Sequence, residues 1–308
     1  MSEMRKIDYH IVEAFTNRPF TGNPAGIITD VKDLSDFEMQ QITREFCTEF
    51  GFFQPGTADQ SDFCVRFFTS HCEAHISGHV AIAGCYTLFQ KGLVPFPDTI
   101  SQSSISIDTK AGKRYLELYR NESGDISISF NLDKPRFGKI YDPKLIEANL
   151  ELPLKSVLAT RLWPEVVSTG IRVLVIPLRN REILLHYKPN FQKIAEFSKI
   201  LNIGGPVFCT METLDSQADI YCRYFFPQYG TNEDISSGVA MGAVSCYLVR
   251  QGILSAENAV QITSEQGHTL NRPNKITAKI ELDHGKHIVS VHIIGQATMV
   301  ASGTLILP

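Results

Sequence analysis

The 308-residue sequence lacks several patterns that would identify a function directly. It contains no Cys-x-x-Cys pair, no His-Glu-x-x-His motif, and no glycine-rich phosphate loop of the Walker A or dinucleotide type. Basic residues are not clustered: 29 Lys and Arg accompany 33 Asp and Glu, for a formal net charge of −4. Nucleic acid is therefore not an expected partner, because neutralising phosphates requires clustered basic residues. Dinucleotide, nucleotide and zinc-protease functions have no positive support.

Disulfide, secretion and membrane signals are also missing. Seven cysteines, an odd number without a metal-type spacing, predict free thiols that pack as small apolar groups. The first ten residues lack the apolar core of a signal peptide. The segment Val289–Pro308 has no Asp, Glu, Lys or Arg, but its apolar residues alternate as in strands. We expect a cytoplasmic protein with no membrane partner.

Two apolar segments are predicted to be central helices. They run from about Gly78 to Lys91 and from about Gly238 to Gln251, and each follows a serine and ends before a glycine. Both are apolar on nearly every side, so neither can lie on a surface with one face in water. Other structure must surround each of them.

The rest of the sequence predicts mainly strands, with amphipathic helices at Asp36–Phe46 and Phe191–Leu201. A length of 308 residues suggests about two domains. Many strands with few, widely spaced helices favour an α+β fold over a doubly wound parallel sheet. Strand patterns occur at Tyr9–Phe15, Phe63–Thr69, Ile105–Asp108, Arg114–Tyr119, Ile126–Phe130, Val166–Thr169, Arg172–Pro177, Asp219–Phe226, Ala259–Thr263, Ile276–Leu282 and His287–Ile294.

The two central helices align with each other at an offset of 160 residues, since 238 − 78 = 160. Upstream, Arg66-Phe67-Phe68 resembles Tyr224-Phe225-Phe226, with a two-residue difference in the loop that follows. The matching order of strand, loop and helix favours an internal duplication. The two halves would then divide near Leu132–Tyr141, a segment suited to a linker. Identities at the offset of 160 include Ser77 with Ser237, Gly78 with Gly238, Leu88 with Leu248, and Gly92 with Gly252.

The two helix starts are candidate binding positions. Each combines acidic, hydroxyl and glycine residues with the unpaired backbone N–H groups of a first helical turn. Such an end favours a carboxylate or phosphate ligand, and glycine permits its close approach. The alternative is that Ser77 and Ser237 are N-caps with no role in binding. Two matched starts favour a shared anion pocket between the domains.

An ordered set of motifs then resembles the PhzF-like family of phenazine biosynthesis. The set spans nearly the whole chain, from about Asp8 to beyond Pro273. It comprises Val12-Glu-Ala-Phe15, Pro19-Phe-Thr-Gly-Asn-Pro24, Thr48-Glu49-Phe50, Arg66-Phe-Phe-Thr69, Gly78-His79, Val167-Ser-Thr-Gly170, Phe225-Phe-Pro227, Glu233-Asp234 with Gly238, Glu265-Gln-Gly267 and Arg272-Pro273.

The resemblance implies the diaminopimelate epimerase-like fold: two similar domains, each a curved, mostly antiparallel, barrel-like sheet around one apolar helix. We expect domains at residues 1–135 and 136–294, with residues 295–308 completing the first. The active site would lie in the cleft between them. The family is often homodimeric and uses no metal or organic cofactor, so we expect a homodimer with neither.

The resemblance also implies that Glu49 is the catalytic carboxylate, moving a proton between carbon atoms of a small amino or hydroxy acid. A carboxyl group shielded from water has a raised pKa and can take and return a proton. Phe46, Phe50, Phe52 and Phe53 flank Glu49 and suggest an apolar setting. The alternative is a surface glutamate at a helix end.

Further site residues follow from the same resemblance. His79 would hydrogen-bond a substrate carboxylate or share a proton, and Asp234 would hold a substrate amino or hydroxyl group. Their alternatives are a histidine at a helix start and a capping aspartate. The helix-start residues Ser77, Gly78, Ser237, Gly238 and Val239 are the candidate substrate-binding set.

Two departures from the family pattern alter the expected substrate contacts. The family usually has Ser-Glu-Thr where this chain has Thr48-Glu49-Phe50, and a serine where this chain has Val239. Thiol-dependent epimerases of the fold place cysteines where this chain has Ser77 and Ser237, so two-thiol racemisation is not expected.

Three functions remain open at this point. We expect a PhzF-like isomerase, and the alternative is a non-catalytic module that binds small carboxylates on the same fold. A third hypothesis is a zinc hydrolase, because His71, His75 and His79 recur every four residues beside Cys72. That spacing aligns ligands only on a helix, whereas a helix is predicted to begin at Gly78, so we expect no metal.

Overall fold

The chain forms two units, Met1–Asn131 with Ile294–Pro308 (unit 1) and Leu132–Ile293 (unit 2). The computed structural model describes residues 4–56, 61–254 and 258–307. Met1–Glu3 and Pro308, at the ends of the predicted domains, lie outside these described residues.

Six α-helices are present within the described residues. They are α1 (Asp36–Phe46), α2 (Gly78–Gln90), α3 (Pro143–Asn149), α4 (Arg181–His186), α5 (Phe191–Leu201) and α6 (Gly238–Arg250). Strands dominate the remainder. They are β1 (Arg5–Ala14), β2 (Asn23–Ile28), β3 (Glu49–Pro55), β4 (Phe63–Phe68), β5 (Glu73–Ala74), β6 (Gln102–Thr109), β7 (Gly112–Arg120), β8 (Ile126–Asn131), β9 (Arg136–Ile140), β10 (Glu165–Ser168), β11 (Arg172–Pro177), β12 (Gly205–Thr210), β13 (Ile220–Phe226), β14 (Thr231–Asp234), β15 (Ala259–Gln266), β16 (Asn274–Leu282), β17 (Ile288–Gly295) and β18 (Ala297–Leu307).

Unit 1 is a sheet wrapped around α2. Its strands pair in the order β18-β1-β2-β3-β4-β6-β7-β8, and the β2–β3 and β4–β6 pairs are parallel while the others are antiparallel. Helix α2 contacts both β18 and β8, the two ends of this order, as well as β1, β2 and β3. One helix can touch both ends of a sheet only if the sheet curls around it.

Unit 2 repeats this plan around α6. The order β9-β10-β11-β12-β13-β15-β16 has parallel pairs at the equivalent places, β11–β12 and β13–β15. Helix α6 packs against β10, β11, β12 and β16. The predicted α+β class, with two similar units around central helices, is confirmed.

The central helices are buried on nearly every side, as their composition requires. In α2 the residues Val80–Cys85, Thr87 and Leu88 are buried, and in α6 the residues Ala240–Leu248 are buried. Each large aliphatic side chain removed from water contributes about 1.5–3 kcal/mol to stability. Gly84 leaves room for a neighbour: a Cβ there would lie 1.9 Å from the ring of Phe53.

Other helices cover the outer face of each sheet. Met39 and Ile42 of α1 join Phe50, Phe52 and Phe68 in one cluster. In unit 2, α3, α4 and α5 contribute Ile146, Leu184 and Ile194 to the corresponding layer. Strands covered on both faces lose the alternation that marks a half-exposed strand. This explains why β12, which is buried at all six residues, gives no strand pattern in the sequence.

Strand register corrects the alignment of the two halves. Phe67 pairs with Ala74 in unit 1, and Tyr224 pairs with Asp234 in unit 2. Phe67 and Tyr224 are therefore equivalent, so the loops differ by three residues, and the two-residue difference predicted from the sequence is wrong. The corrected register makes Arg66 equivalent to Arg223.

The segment Leu132–Tyr141 is a strand for half its length, because Arg136–Ile140 forms β9 and pairs with β10. The prediction of a simple linker there is therefore wrong. Near the C-terminus, β17 and β18 confirm that the uncharged segment forms strands. None of the helices in the described part of the chain combines the length and the apolar composition that a membrane-spanning segment requires.

Candidate active site

Glu49 lies at the start of β3, directly after a tight reversal at the end of α1. Cys47 ends that helix in the left-handed conformation, with φ of 50°. The Thr48 hydroxyl donates to the carbonyl oxygen of Pro24 at 2.9 Å, and Glu49 pairs with Ala25 of β2. Glu49 is thus a strand residue held in place by β2, and its side chain is 33% exposed.

The aromatic residues near Glu49 divide between the two faces of β3. Side chains alternate along a strand, so Glu49 shares a face with Gly51 and Phe53. Phe53 lies on the α2 side, against Gly84. Phe50 and Phe52 belong to the cluster under α1, with Phe46 packed against it. Phe50 and Phe52 therefore do not contribute to the apolar setting expected around the Glu49 side chain.

Ser77, immediately before α2, donates its hydroxyl to Glu49. The distance from Ser77 Oγ to Glu49 Oε2 is 2.7 Å. His79, two residues later, places its Nδ1 3.3 Å from Ser77 Oγ and its Nε2 3.9 Å from Glu49 Oε2. Glu49, Ser77 and His79 therefore form one cluster at the start of α2, which we call the Glu49 cluster.

His79 is largely buried, with 14% of its side chain exposed. Burial lowers the pKa of His79 below its usual value, and the Glu49 carboxylate opposes this by raising it. Because burial is the larger effect, the ring is neutral at neutral pH. It therefore has one N–H and one nitrogen lone pair for hydrogen bonding.

Gly78 begins α2 at the same point. A Cβ on Gly78 would meet only the Phe130 ring, at 3.8 Å, so packing alone does not require a glycine there. The Ala81 N–H donates to the Ser77 carbonyl at 2.9 Å and closes the first turn. The earlier N–H groups of the turn have no carbonyl within the helix to pair with, as at any helix start.

The predicted site residues of unit 2 gather at the start of α6. Asp234 ends β14, and its Oδ1 accepts from the Ser236 N–H at 3.3 Å. Ser237 is an ordinary N-cap whose hydroxyl accepts from the Ala240 N–H at 3.3 Å. Gly238 begins the helix, and the Val239 carbonyl accepts from the Thr169 hydroxyl at 3.2 Å. Ser237 is therefore an N-cap, whereas Ser77 makes no side-chain cap bond, and the binding role predicted for each stays a prediction.

Sequence reasoning did not identify Gln266 and Asn274 as residues that hold this helix start in place. Gln266 donates to the Asp234 carbonyl at 2.7 Å and accepts from the Ser237 N–H at 3.3 Å. Asn274 donates to the Ile235 carbonyl at 3.0 Å. Gln266 lies within the Glu265-Gln-Gly267 motif, which was the available signal.

The unit 2 counterpart of Glu49 is Gly205. Glu49 pairs with Ala25 across a parallel ladder, and Gly205 pairs with Val173 in the equivalent ladder. A Cβ on Gly205 would lie 1.8 Å from the Phe225 carbonyl oxygen, so no side chain fits. The duplicated plan therefore provides a carboxylate at this position in unit 1 only.

The cysteines form no disulfides, and with the histidines they form no candidate metal site in the described part of the chain. All seven cysteines are free. Four are buried, and burial raises the pKa of Cys209 and Cys246 to about 12. Cys47 and Cys72 are exposed, so the prediction that the thiols pack in the interior is wrong for these two. No group of three His, Cys, Asp or Glu among the described residues could hold a metal ion.

Comparison with known proteins identifies the family. The model of the family described as "PhzC-PhzF: Phenazine biosynthesis-like protein" matches residues 12–303. The chain belongs to this family. An uncharacterized isomerase of Clostridium acetobutylicum is 31% identical over 311 residues, covering 99% of each chain. The trans-2,3-dihydro-3-hydroxyanthranilate isomerase of Pseudomonas fluorescens is 24% identical over 303 residues, covering 97% of this chain and 99% of that one.

A solved structure confirms the fold. The PhzF-family phenazine biosynthesis protein of Bacillus anthracis superposes with a TM-score of 0.87 and 26% identity, covering 98% of this chain and 99% of that one. The predicted family and epimerase-like fold are confirmed. Relatives at 30–31% identity over nearly their whole length are named isomerases, and this chain is an isomerase of the PhzF family.

Proposed function

We propose that Glu49 is the general acid and base of this PhzF-family isomerase and that it moves a proton between carbons of a small amino or hydroxy acid. The observation that carries the proposal is the Glu49 cluster. It combines a carboxylate that is one-third exposed with a hydroxyl donor at 2.7 Å and a neutral imidazole. A carboxylate so placed can reach a substrate and keep a fixed geometry while it gains and loses a proton.

A single carboxylate suits a reaction in which one group removes a proton from one carbon and delivers a proton to another. Because Glu49 is one-third exposed, the proton that it holds can exchange with solvent between the two steps. Gly205 supplies no matching base in unit 2, and the serines at the two helix starts are poor unassisted bases. One group would then act first as base and afterwards as acid. The roles of Asp234, Ser237, Gly238 and Val239 in substrate binding, and of Gly78 at the start of α2, stay predictions, as does the homodimer.

The substrate class is tested with defined compounds in D₂O. The Pseudomonas fluorescens relative is named for trans-2,3-dihydro-3-hydroxyanthranilate, which is the first probe, followed by a panel of small amino and hydroxy acids. Deuterium incorporated at carbon is measured by NMR and mass spectrometry. We expect the wild-type protein to catalyse incorporation with at least one compound.

The role of Glu49 is tested by Glu49→Gln, which keeps the shape and removes the titrating oxygen. Loss of an acid or base group typically lowers the rate of catalysis about 10²- to 10⁴-fold, and we expect the rate of deuterium incorporation to fall by a factor in this range. The matched control is Glu45→Gln, the same change at an exposed position on α1. If Glu49→Gln incorporated deuterium at the wild-type rate, the proposed role of Glu49 would be refuted. If the wild-type protein bound a compound tightly but incorporated no deuterium, a non-catalytic binding module would be favoured.

A further inference from the structure

The two serines that precede the central helices use their hydroxyls differently. Ser237 caps α6 by accepting from the Ala240 N–H. Ser77 occupies the equivalent position before α2 but makes no cap bond and instead donates to Glu49, 28 residues away in the sequence. The Ser77 hydroxyl does not make the stabilising N-cap bond and hydrogen-bonds the proposed catalytic carboxylate instead. It is therefore a candidate for a group that positions this carboxylate.

The hydrogen count at Ser77 determines which nitrogen of His79 carries the hydrogen. A serine hydroxyl has one hydrogen, and that of Ser77 is donated to Glu49 Oε2 at 2.7 Å. At its contact with His79 Nδ1, 3.3 Å away, Ser77 Oγ can then only accept. Nδ1 therefore carries the hydrogen of the neutral ring, and Nε2 carries the lone pair.

The opposite tautomer is disfavoured by the same distances. With the hydrogen on Nε2, Glu49 Oε2 would lie 3.9 Å away, which is too long for a hydrogen bond. Nδ1 would then direct a lone pair at the lone pairs of Ser77 Oγ. The Nδ1–H tautomer satisfies the chain from Nδ1–H to Oγ–H to the carboxylate without any such conflict.

We propose that Ser77 is a positioning residue that holds the Glu49 carboxylate and fixes His79 as the Nδ1–H tautomer, so that Nε2 accepts a hydrogen bond from a substrate amino or hydroxyl group. This inference rests on the proposed function for the role of Glu49. It also deepens that function, because an acceptor nitrogen beside a carboxylate selects a substrate bearing an N–H or O–H donor. A substrate carboxylate would face a lone pair at Nε2 and be repelled.

The test is long-range ¹H–¹⁵N NMR of the histidine rings at neutral pH, with the His79 signals assigned by their loss in His79→Gln. We expect Nδ1–H in the wild-type protein. Ser77→Ala removes the acceptor at Nδ1 and leaves the Glu49 carboxylate on the Nε2 side, so the ring should shift toward Nε2–H. Ser77→Thr restores a hydroxyl and should restore Nδ1–H. The matched control Ser237→Ala, at the equivalent place in unit 2, should leave the His79 tautomer unchanged.

Either of two results overturns the proposal: Nε2–H in the wild-type protein, or Nδ1–H retained in a folded Ser77→Ala. The exchange assay adds a functional readout, in which Ser77→Ala should slow deuterium incorporation about 10- to 100-fold and Ser77→Thr should recover most of it. The tautomer is measured without any substrate. Wild-type deuterium incorporation in Glu49→Gln would therefore refute the proposed function without affecting the NMR result.

Discussion

Arg223 and Glu233 form a two-pronged ion pair in unit 2, with Nε–Oε1 and Nη2–Oε2 distances of 2.8 and 2.7 Å. Their side chains are only 4% and 7% exposed, and the remaining Nη1 of Arg223 donates to the carbonyls of Leu184 and Tyr187. The pair therefore links β13, the end of α4 and the strand that leads to Asp234. Arg66 and Glu73 form the equivalent pair in unit 1.

Arg223→Ala is expected to lower the free energy of unfolding by about 3–5 kcal/mol, because it leaves the buried Glu233 carboxylate without its cation. The matched change Arg66→Ala should cost about 1 kcal/mol, since Arg66 is one-third exposed and Glu73 keeps Lys110 as a partner. Urea denaturation of the two variants measures the difference. If the two variants lost the same free energy of unfolding, burial of the Arg223–Glu233 pair would not be the cause of its larger contribution.

Ser237→Ala is expected to lower the free energy of unfolding by about 1 kcal/mol, because it removes an N-cap. Ser77→Ala removes no cap bond and should cost less stability, while it alters the Glu49 cluster. Thermal and urea unfolding of the two variants make the comparison. A larger loss for Ser77→Ala would show that its hydroxyl stabilises the fold more than the cap does.

Gly205→Ala is expected to destabilise the protein by about 3 kcal/mol or more, because the new Cβ would lie 1.8 Å from the Phe225 carbonyl oxygen and the backbone must move. Gly78→Ala is the matched change at a glycine with space, since its Cβ would meet nothing closer than 3.8 Å. It should fold with nearly unchanged stability. Circular dichroism with urea denaturation distinguishes the two, and a well-folded Gly205→Ala would contradict the steric argument.

Acid should destabilise the start of α1 in a definite pH range. The Ser35 N–H and hydroxyl both hydrogen-bond Glu38, which lowers the pKa of Glu38 to about 2, and Arg5 adds to the effect. Since the folded pKa lies below the usual value of 4.5, this stabilisation is fully present above pH 4.5 and is lost as pH falls toward 2. Glu38→Gln should flatten this part of the stability–pH curve. Glu45→Gln is the control, and an equally flattened curve for it would contradict the assignment to Glu38.

Glu49→Gln should lower the pKa of His79 further. Burial already lowers that pKa, and the Glu49 carboxylate is the group that raises it. Removing the negative charge leaves the burial effect unopposed. NMR titration of the His79 ring measures the change. An unchanged or higher pKa in Glu49→Gln would show that the carboxylate does not act on the ring.

Local patterns predicted much of the fold. The bounds of α1 and α5 agree with the predicted helices, and α2 and α6 each end one residue before the predicted end. Their apolar periodicity and terminal residues are local signals. Strands β2, β3 and β12 were missed because neighbouring helices and strands bury both faces, which removes the alternation on which prediction depends.

The candidate site was predictable only where a motif marks it. Glu49, His79 and Asp234 came from the family resemblance, and the structure brings Glu49 and His79 together with Ser77. The different uses of Ser77 and Ser237 could not be predicted, because a cap is a local bond whereas the partner of Ser77 lies 28 residues away. The corrected register between the halves likewise depends on pairing between strands, which is absent from sequence spacing.

The pairing of β1 with β18, from Arg5↔Leu307 to Ala14↔Ala297, determines when unit 1 can be completed during synthesis. The ribosome makes the first strand of this pair almost 300 residues before the second. All of unit 2 is made before β18 emerges, so unit 2 has its whole chain available first although it is second in the sequence. Until β18 emerges, β1 has a free edge, and unit 1 depends on the newest residues of the chain to close its sheet.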